Sequence, residues 1–326
     1  MTINAALIGV GKWGQRLVKA TQDQSDSLRF TTGVTRTVSK AATFCQAQGM
    51  SLGDDLGQML KDTSIDMAVI CTPHTQRAEI IEACLAAGKN VFVIKPLTMT
   101  LASAKAVSAA ADKAGVKIGV GFPWRHLPAT KELKRLAATG ELGAIGHVES
   151  NYCVPRFMNF KPEDWKTTLQ EQPPGALTTH AIDVLTDIMG PVETVNVLSH
   201  RRAVPWEIDD TTAVMFRFAN GASGFLGSSG ATAVLYRLMV FGSKAWAEVR
   251  NESRLEVAPT TGSSTVTEFP DDANDASLRW ELESFADAIQ GKNSYPWSRA
   301  HDLHGVAIGD AILKSARDGA IVKVET

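Results

Sequence analysis

The tightest constraint on this chain lies in its opening segment. Ala5-Ala6-Leu7-Ile8-Gly9-Val10-Gly11-Lys12-Trp13-Gly14 is a short apolar run that enters a G-x-G-x-x-G turn, and a helical pattern leaves it. Gly9 allows the tight turn. Gly11 has no side chain, so a pyrophosphate can approach the backbone. Gly14 lets the helix pack closely on the strand. The helix N-terminus then offers N–H groups and a positive dipole end to phosphates. The segment predicts a dinucleotide-binding unit, with Gly9, Gly11, Lys12, Trp13 and Gly14 as its first cofactor-binding candidates.

The second checkpoint selects between cofactors. Such folds usually carry an acid about 20 residues past the turn, at the end of the second strand, to bond the ribose 2′-OH. Here Phe30-Thr31-Thr32-Gly33-Val34 is followed by Thr35-Arg36-Thr37, a hydroxyl and then a guanidinium. Arginine can fork onto a 2′-phosphate, threonine can donate to it, and an acid would repel it. The pattern favours NADP over NAD, with Thr35 and Arg36 at the phosphate.

Residues 1–122 continue to alternate strand and helix. Met67-Ala68-Val69-Ile70-Cys71 and Asn90-Val91-Phe92-Val93-Ile94 are apolar throughout, as buried parallel strands require. Helices are expected over 12–24, 39–48, 56–61, 76–87 and 101–114. This is an α/β, doubly wound Rossmann domain with ligands at the strand carboxyl ends. From residue 123 to 326 the pattern changes to an α+β domain with a large, mostly antiparallel sheet, for substrate binding and oligomerisation, with packing of the C-terminal helix back on the first domain as an alternative placement. Its strands are expected over 147–153, 194–201, 211–218, 222–229, 236–242 and 244–250. A helix over 175–189 interrupts them, and helices over 278–290 and 301–318 follow. Asn220-Gly221 is a strong hairpin signal, and the polar stretch Thr260–Asn274 reads as a hairpin tip or loop.

Bulk properties remove other classes. The chain has 326 residues, 44% hydrophobic and 21% charged, with a formal net charge of −2, a globular composition without a field for nucleic acid or anionic lipid. No apolar run approaches the roughly 20 residues of a membrane span. No signal peptide is visible at the start. Cys45, Cys71, Cys84 and Cys153 have no metal spacing and read as free thiols of a reducing cytoplasm. His301 and His304 lack a completing acid or Cys, so no metal is expected.

Three further stretches carry chemistry. Thr72-Pro73-His74 follows one buried strand, and Lys95-Pro96-Leu97 follows the next. Gly175-Ala176-Leu177-Thr178-Thr179-His180-Ala181-Ile182-Asp183 opens a later helix. With the glycine turn, Ala87-Gly88-Lys89-Asn90-Val91, Gly140-Glu141-Leu142-Gly143 and the closing Ser315-Ala316-Arg317-Asp318-Gly319, they resemble the glucose–fructose oxidoreductase / inositol dehydrogenase / MocA family. The likeness spans nearly the whole chain. It implies a two-domain, nicotinamide-dependent enzyme acting on a sugar, cyclitol or related polyol.

The resemblance also implies roles. Lys95 matches a lysine beside nicotinamide and substrate, where its ammonium can stabilise alkoxide character on the reacting oxygen. His180 matches the histidine that exchanges the proton. Asp183 shares its helix face and could orient the imidazole or bind a substrate hydroxyl. Cys71, Thr72, Pro73, His74 and Pro96 border the cofactor. Trp124 and Arg125, where the chain leaves the first domain, and Tyr152, Arg156, Asn159 and Trp165, on the way to the His helix, are substrate-side candidates. Their mix of hydrogen-bonding groups and aromatic faces suits a sugar. The chain departs from the family pattern at Ile94 (usually Glu), Ala176 (usually Asp), and His74 and Arg77 (usually Asn and His). The two missing acids keep a non-catalytic sensor or regulator as an alternative; an NAD-assisted glycoside hydrolase is another, disfavoured by Thr35-Arg36. By analogy a homodimer or homotetramer is expected.

Overall fold

The computed structural model describes residues 2–164, 167, 175–270, 273–295 and 298–325. Two compact units emerge, one formed by Met1–Pro123 with Asp275–Val306, the other by Trp124–Asn274 with Ala307–Thr326.

The first unit runs β1 (Ile3–Ile8), α1 (Lys12–Thr21), β2 (Leu28–Val34), α2 (Ala42–Ala47), β3 (Ser51–Gly53), α3 (Leu56–Lys61), β4 (Met67–Ile70), α4 (Arg77–Ala86), β5 (Asn90–Ile94), α5 (Leu101–Ala114) and β6 (Ile118–Gly121). Its parallel sheet has the order β3-β2-β1-β4-β5-β6. Every residue of β4 is buried, which explains its unbroken apolar sequence. Leu7, Leu17, Phe30, Met67 and Phe92 form the core. The same core takes Leu278, Leu282 and Phe285 from the distant helix α8 (Ala273–Ile289).

The second unit holds α6 (Pro128–Ala138), β7 (Ile145–Cys153), α7 (Gly175–Met189), β8 (Val192–His200), β9 (Thr211–Phe218), β10 (Ser223–Ser229), β11 (Leu235–Gly242), β12 (Ala245–Arg250), β13 (Arg254–Pro259) and β14 (Thr265–Glu268). Helix α9 (Arg299–Asp318) gives its first residues to the first unit and its remainder, with β15 (Val322–Lys323), to the second. The sheet order is β14-β13-β12-β11-β7-β10-β9-β8-β15, antiparallel except for the β7–β10 pair. The α/β Rossmann sheet and the mostly antiparallel second sheet are those expected from the sequence. Asn220-Gly221 forms the β9–β10 turn, with Gly221 at φ +89°.

Two local expectations need correction. The single helix over 39–48 is a short 3-10 turn, Val38–Lys40, followed by α2. The polar stretch after Pro259 contains a strand, β14, paired to β13. All of β14 is exposed, so no apolar alternation marked it. β3 and β15 are too short to leave a periodic signal. Among the described residues no helix is long and apolar enough to cross a membrane, and no group of three or more His, Cys, Asp or Glu could hold a metal.

Candidate active site

In the first unit β1, β4 and β5 run parallel, with Ile8 opposite Ile70 and Ile70 opposite Val93. The residues that follow, Gly9, Cys71-Thr72 and Lys95, therefore leave the sheet at one edge. The strand order reverses between β1 and β4, where open α/β sheets form their ligand crevice. Gly9 sits at φ +96°, and a Cβ there would lie 2.9–3.0 Å from the backbone of Cys71 and Thr72. A Cβ on Gly14 would lie 2.6 Å from the Gly9 carbonyl oxygen. Both positions thus need glycine to close the β1–α1 turn. Gly11 is different: a Cβ there would meet nothing within 4 Å. It is the N-cap of α1, with no side-chain cap and no acid in the first turn. The backbone there is open to an anion rather than to its own chain. Thr72 Oγ1 is buried without a hydrogen-bond partner among the described residues. An open glycine at a helix N-terminus and an unsatisfied buried hydroxyl across the switch point fit a dinucleotide.

Thr35 and Arg36 follow β2 directly. The Thr35 N–H donates to the Gly53 carbonyl at 3.0 Å, tying this loop to β3, and Arg36 is exposed. Lys12 is exposed as well, while Trp13 packs against the core with the Arg16 guanidinium 5.4 Å from its ring centroid. The Cys71 thiol is pushed up to about 12 by burial, so it is no thiolate at neutral pH. His74 lies half-buried in a single 3-10 turn, His74–Gln76.

Lys95 is half-buried, and the Lys95–Pro96 peptide is cis. Ile94 packs its side chain against the core. The first residue of α4, Arg77, is only 1% exposed. Its Nη1 donates to the carbonyls of Ile94 at 2.8 Å and Pro96 at 2.7 Å, and its Nη2 to the carbonyl of Thr72 at 2.9 Å. Sequence reasoning noted Arg77 only as a departure from the family pattern.

In the second unit α7 presents His180 and Asp183 one turn apart, both buried. The His180 ring stacks on Trp124, with centroids 5.4 Å apart and planes at 27°. Tyr152 lies 6.5 Å from His180 and 4.9 Å from Tyr236, its direct partner across the β7–β11 pair. Burial, then the Tyr236 hydroxyl, keeps the Tyr152 phenol neutral well above its ordinary range. An aromatic wall therefore surrounds the imidazole. Tyr236 escaped the sequence reading because only the strand register places it beside Tyr152.

Asp183 is engaged by Arg125. Nε of Arg125 lies 2.6 Å from Oδ2 and Nη2 lies 2.7 Å from Oδ1, a planar fork. Nη1 of Arg125 lies 2.8 Å from Asp187, which also meets Lys134 at 2.7 Å. This four-residue ion network braces the segment that carries Trp124. Arg156 and Asn159 are exposed on the segment after β7, and the Asn159 amide donates to the Pro155 carbonyl at 3.0 Å. Trp165 lies outside the described residues.

A glycine turn at a strand-order switch point, a lysine leaving the same sheet edge, and a second unit with a histidine on an aromatic wall define the class: a nicotinamide-dependent oxidoreductase. Comparison with known proteins gives the family. Residues 3–122 match the oxidoreductase family with NAD-binding Rossmann fold, and residues 130–248 match the GFO/IDH/MocA C-terminal domain. The chain belongs to the GFO/IDH/MocA oxidoreductase family. It is similar to myo-inositol 2-dehydrogenase of Thermotoga maritima, 27% identical over 83% of each chain. It is also similar to inositol 2-dehydrogenase of Rhizobium meliloti, 24% identical over 98% of each. Levoglucosan dehydrogenase in complex with NADH shares its fold, with a TM-score of 0.86 and 22% identity over 100% of both chains.

Proposed function

We propose that this chain is an NADP-dependent dehydrogenase or reductase of a sugar, cyclitol or related polyol. The observation that carries the reading is the exit of Lys95 from the same sheet edge as the open Gly11 backbone. The two inositol dehydrogenases among its relatives support a polyol as substrate. Thr35-Arg36 at the end of β2, with no acid in that segment, supports NADP as the cofactor.

When bound, the dinucleotide supplies the hydride acceptor or donor. Gly9, Gly11 and Gly14 shape the turn against its pyrophosphate, with Lys12 and Trp13 opening α1. Cys71, Thr72, Pro73, His74 and Pro96 border it, largely through their backbone. Lys95 donates a hydrogen bond to the reacting oxygen and stabilises its alkoxide character. His180 takes the hydroxyl proton on oxidation and returns it on reduction. Trp124 fixes the plane of the imidazole. Arg125 and Asp183 brace Trp124 rather than touch the reacting atoms, and Tyr152, Arg156, Asn159 and Trp165 contribute to the substrate side.

The test is direct. Purified protein is incubated with NADP or NAD and a panel of polyols, including myo-inositol and levoglucosan, and reduced nicotinamide is read by absorbance. NADP should give the higher kcat/KM. Arg36→Ala should weaken NADP binding about ten- to a hundredfold, since a charge-assisted contact contributes roughly 1.5–3 kcal/mol, and leave NAD binding nearly unchanged. Preference of the wild type for NAD, or equal weakening of both cofactors, refutes the cofactor assignment.

A further inference from the structure

We propose that Arg77 is a positioning residue for Lys95: its buried guanidinium ties the loop after β4 to the loop after β5 and sets the backbone from which the lysine side chain projects. The carbonyls on both sides of Lys95, those of Ile94 and Pro96, accept from the same Nη1. Nη2 reaches the Thr72 carbonyl, beside the orphaned Thr72 hydroxyl. One planar group thus holds two stretches of chain that border the cofactor crevice.

The chemistry of this contact is unusual for a purely structural role. Burying a guanidinium is costly, and the common remedy is a carboxylate partner. Among the described residues Arg77 has three backbone carbonyls and no carboxylate. Burial pulls its pKa down to about 10, so it stays charged at neutral pH. Two of the acceptors flank Lys95 at the end of β5, whose last residue is Ile94, and Pro96 brings no N–H of its own. The donors come from one rigid fork, which neither lysine nor histidine reproduces.

This inference rests on the catalytic assignment of Lys95, and the experiment separates the two. Arg77→Gln, Lys95→Ala and the double variant are prepared in the full chain. The first readout needs neither cofactor nor substrate. Amide hydrogen exchange in Arg77→Gln should rise about tenfold in peptides covering 71–76 and 94–99, with β2 and α5 unchanged. The second uses a polyol that the wild type oxidises. Arg77→Gln should lower kcat about ten- to a hundredfold, while Kd for reduced cofactor, read by its fluorescence, moves less than about threefold. In the Lys95→Ala background the same change should alter kcat less than about twofold, because a residue acting through Lys95 has nothing left to position.

A full additional loss in that background overturns the proposal, as does unchanged exchange at 94–99 or a uniform rise across the unit. Wild-type turnover in Lys95→Ala refutes the catalytic reading instead, and the exchange readout then decides the clamp alone. If Arg77→Gln does not fold, Arg77→Lys carries the same comparisons, since it keeps the charge but loses the fork.

Discussion

Replacing Arg125 with methionine removes the guanidinium and keeps most of the side-chain volume. Asp183 is then left with its side chain 2% exposed and without the fork at 2.6 and 2.7 Å. Breaking a buried pair from one side costs about 3–5 kcal/mol, because the remaining charge stays out of water and loses its forked contact. Asp187 loses its 2.8 Å contact but keeps Lys134 and more solvent, so it adds little. For a domain of 150–250 residues each kcal/mol moves Tm by roughly 2–4 °C, so the unit should melt about 6–20 °C lower. Scanning calorimetry at neutral pH reads this. The pair variant Arg125→Met with Asp183→Leu should regain most of the loss, since apolar replacements of a buried pair are often neutral. A fall of less than about 2 °C in the single variant, or a pair variant no better than the single one, would show that the fork does not brace this segment.

Three other outcomes are expected. Burial first, then Lys131 and Arg125, pulls His126 from 6.5 down to about 4, so the unfolded chain takes up the proton before the folded one; stability should be whole above pH 6.5 and fall by up to about 3 kcal/mol as pH drops to 4, a loss that His126→Gln removes in urea titrations across that window. Gly11→Ala, whose Cβ enters open space, should leave Tm within a few degrees yet raise the NADP Kd about tenfold or more; unchanged binding in isothermal titration would place the pyrophosphate elsewhere. Lys95→Ala and His180→Ala should each lower turnover about a hundredfold, and together by less than the product, as for groups serving one transition state; normal turnover in His180→Ala would point to a different proton route.

The parts of this molecule legible in its sequence are those whose cause is local. Gly9 and Gly14 announce the turn because a tight bend and close packing tolerate little else, and Gly11 marks the open backbone between them. β4 and β5 announce themselves because both their faces are buried. The less legible parts depend on partners far along the chain. β14 lies fully exposed at a sheet edge, so nothing in Thr265–Glu268 marks it apart from its pairing with β13. Tyr236 becomes a neighbour of Tyr152 only through strand register. Arg77 looks like a solvated helix-start residue, because its acceptors are backbone carbonyls, which carry no sequence signature. Asp183 was visible as a polar partner on the His180 face, yet its engagement with Arg125, 58 residues earlier, was not.

The cofactor-side unit owes part of its core to residues that are made last. Phe285 of α8 lies 5.5 Å from Phe92 of β5 and contacts the space over Gly119, and the Tyr295 hydroxyl donates to the Val120 carbonyl at 3.2 Å. Arg299 adds an ion pair to Asp112 of α5. A ribosome that has released only residues 1–250 therefore holds a complete set of Rossmann strands with one sheet face covered by α1 and α2 but still lacking α8. Domains commonly fold in order as they emerge. This one must wait through the synthesis of β7 to β14 before that apolar face is completed. Truncation after residue 122 reproduces that waiting state permanently, so the piece that carries every cofactor motif is the piece least suited to be expressed alone.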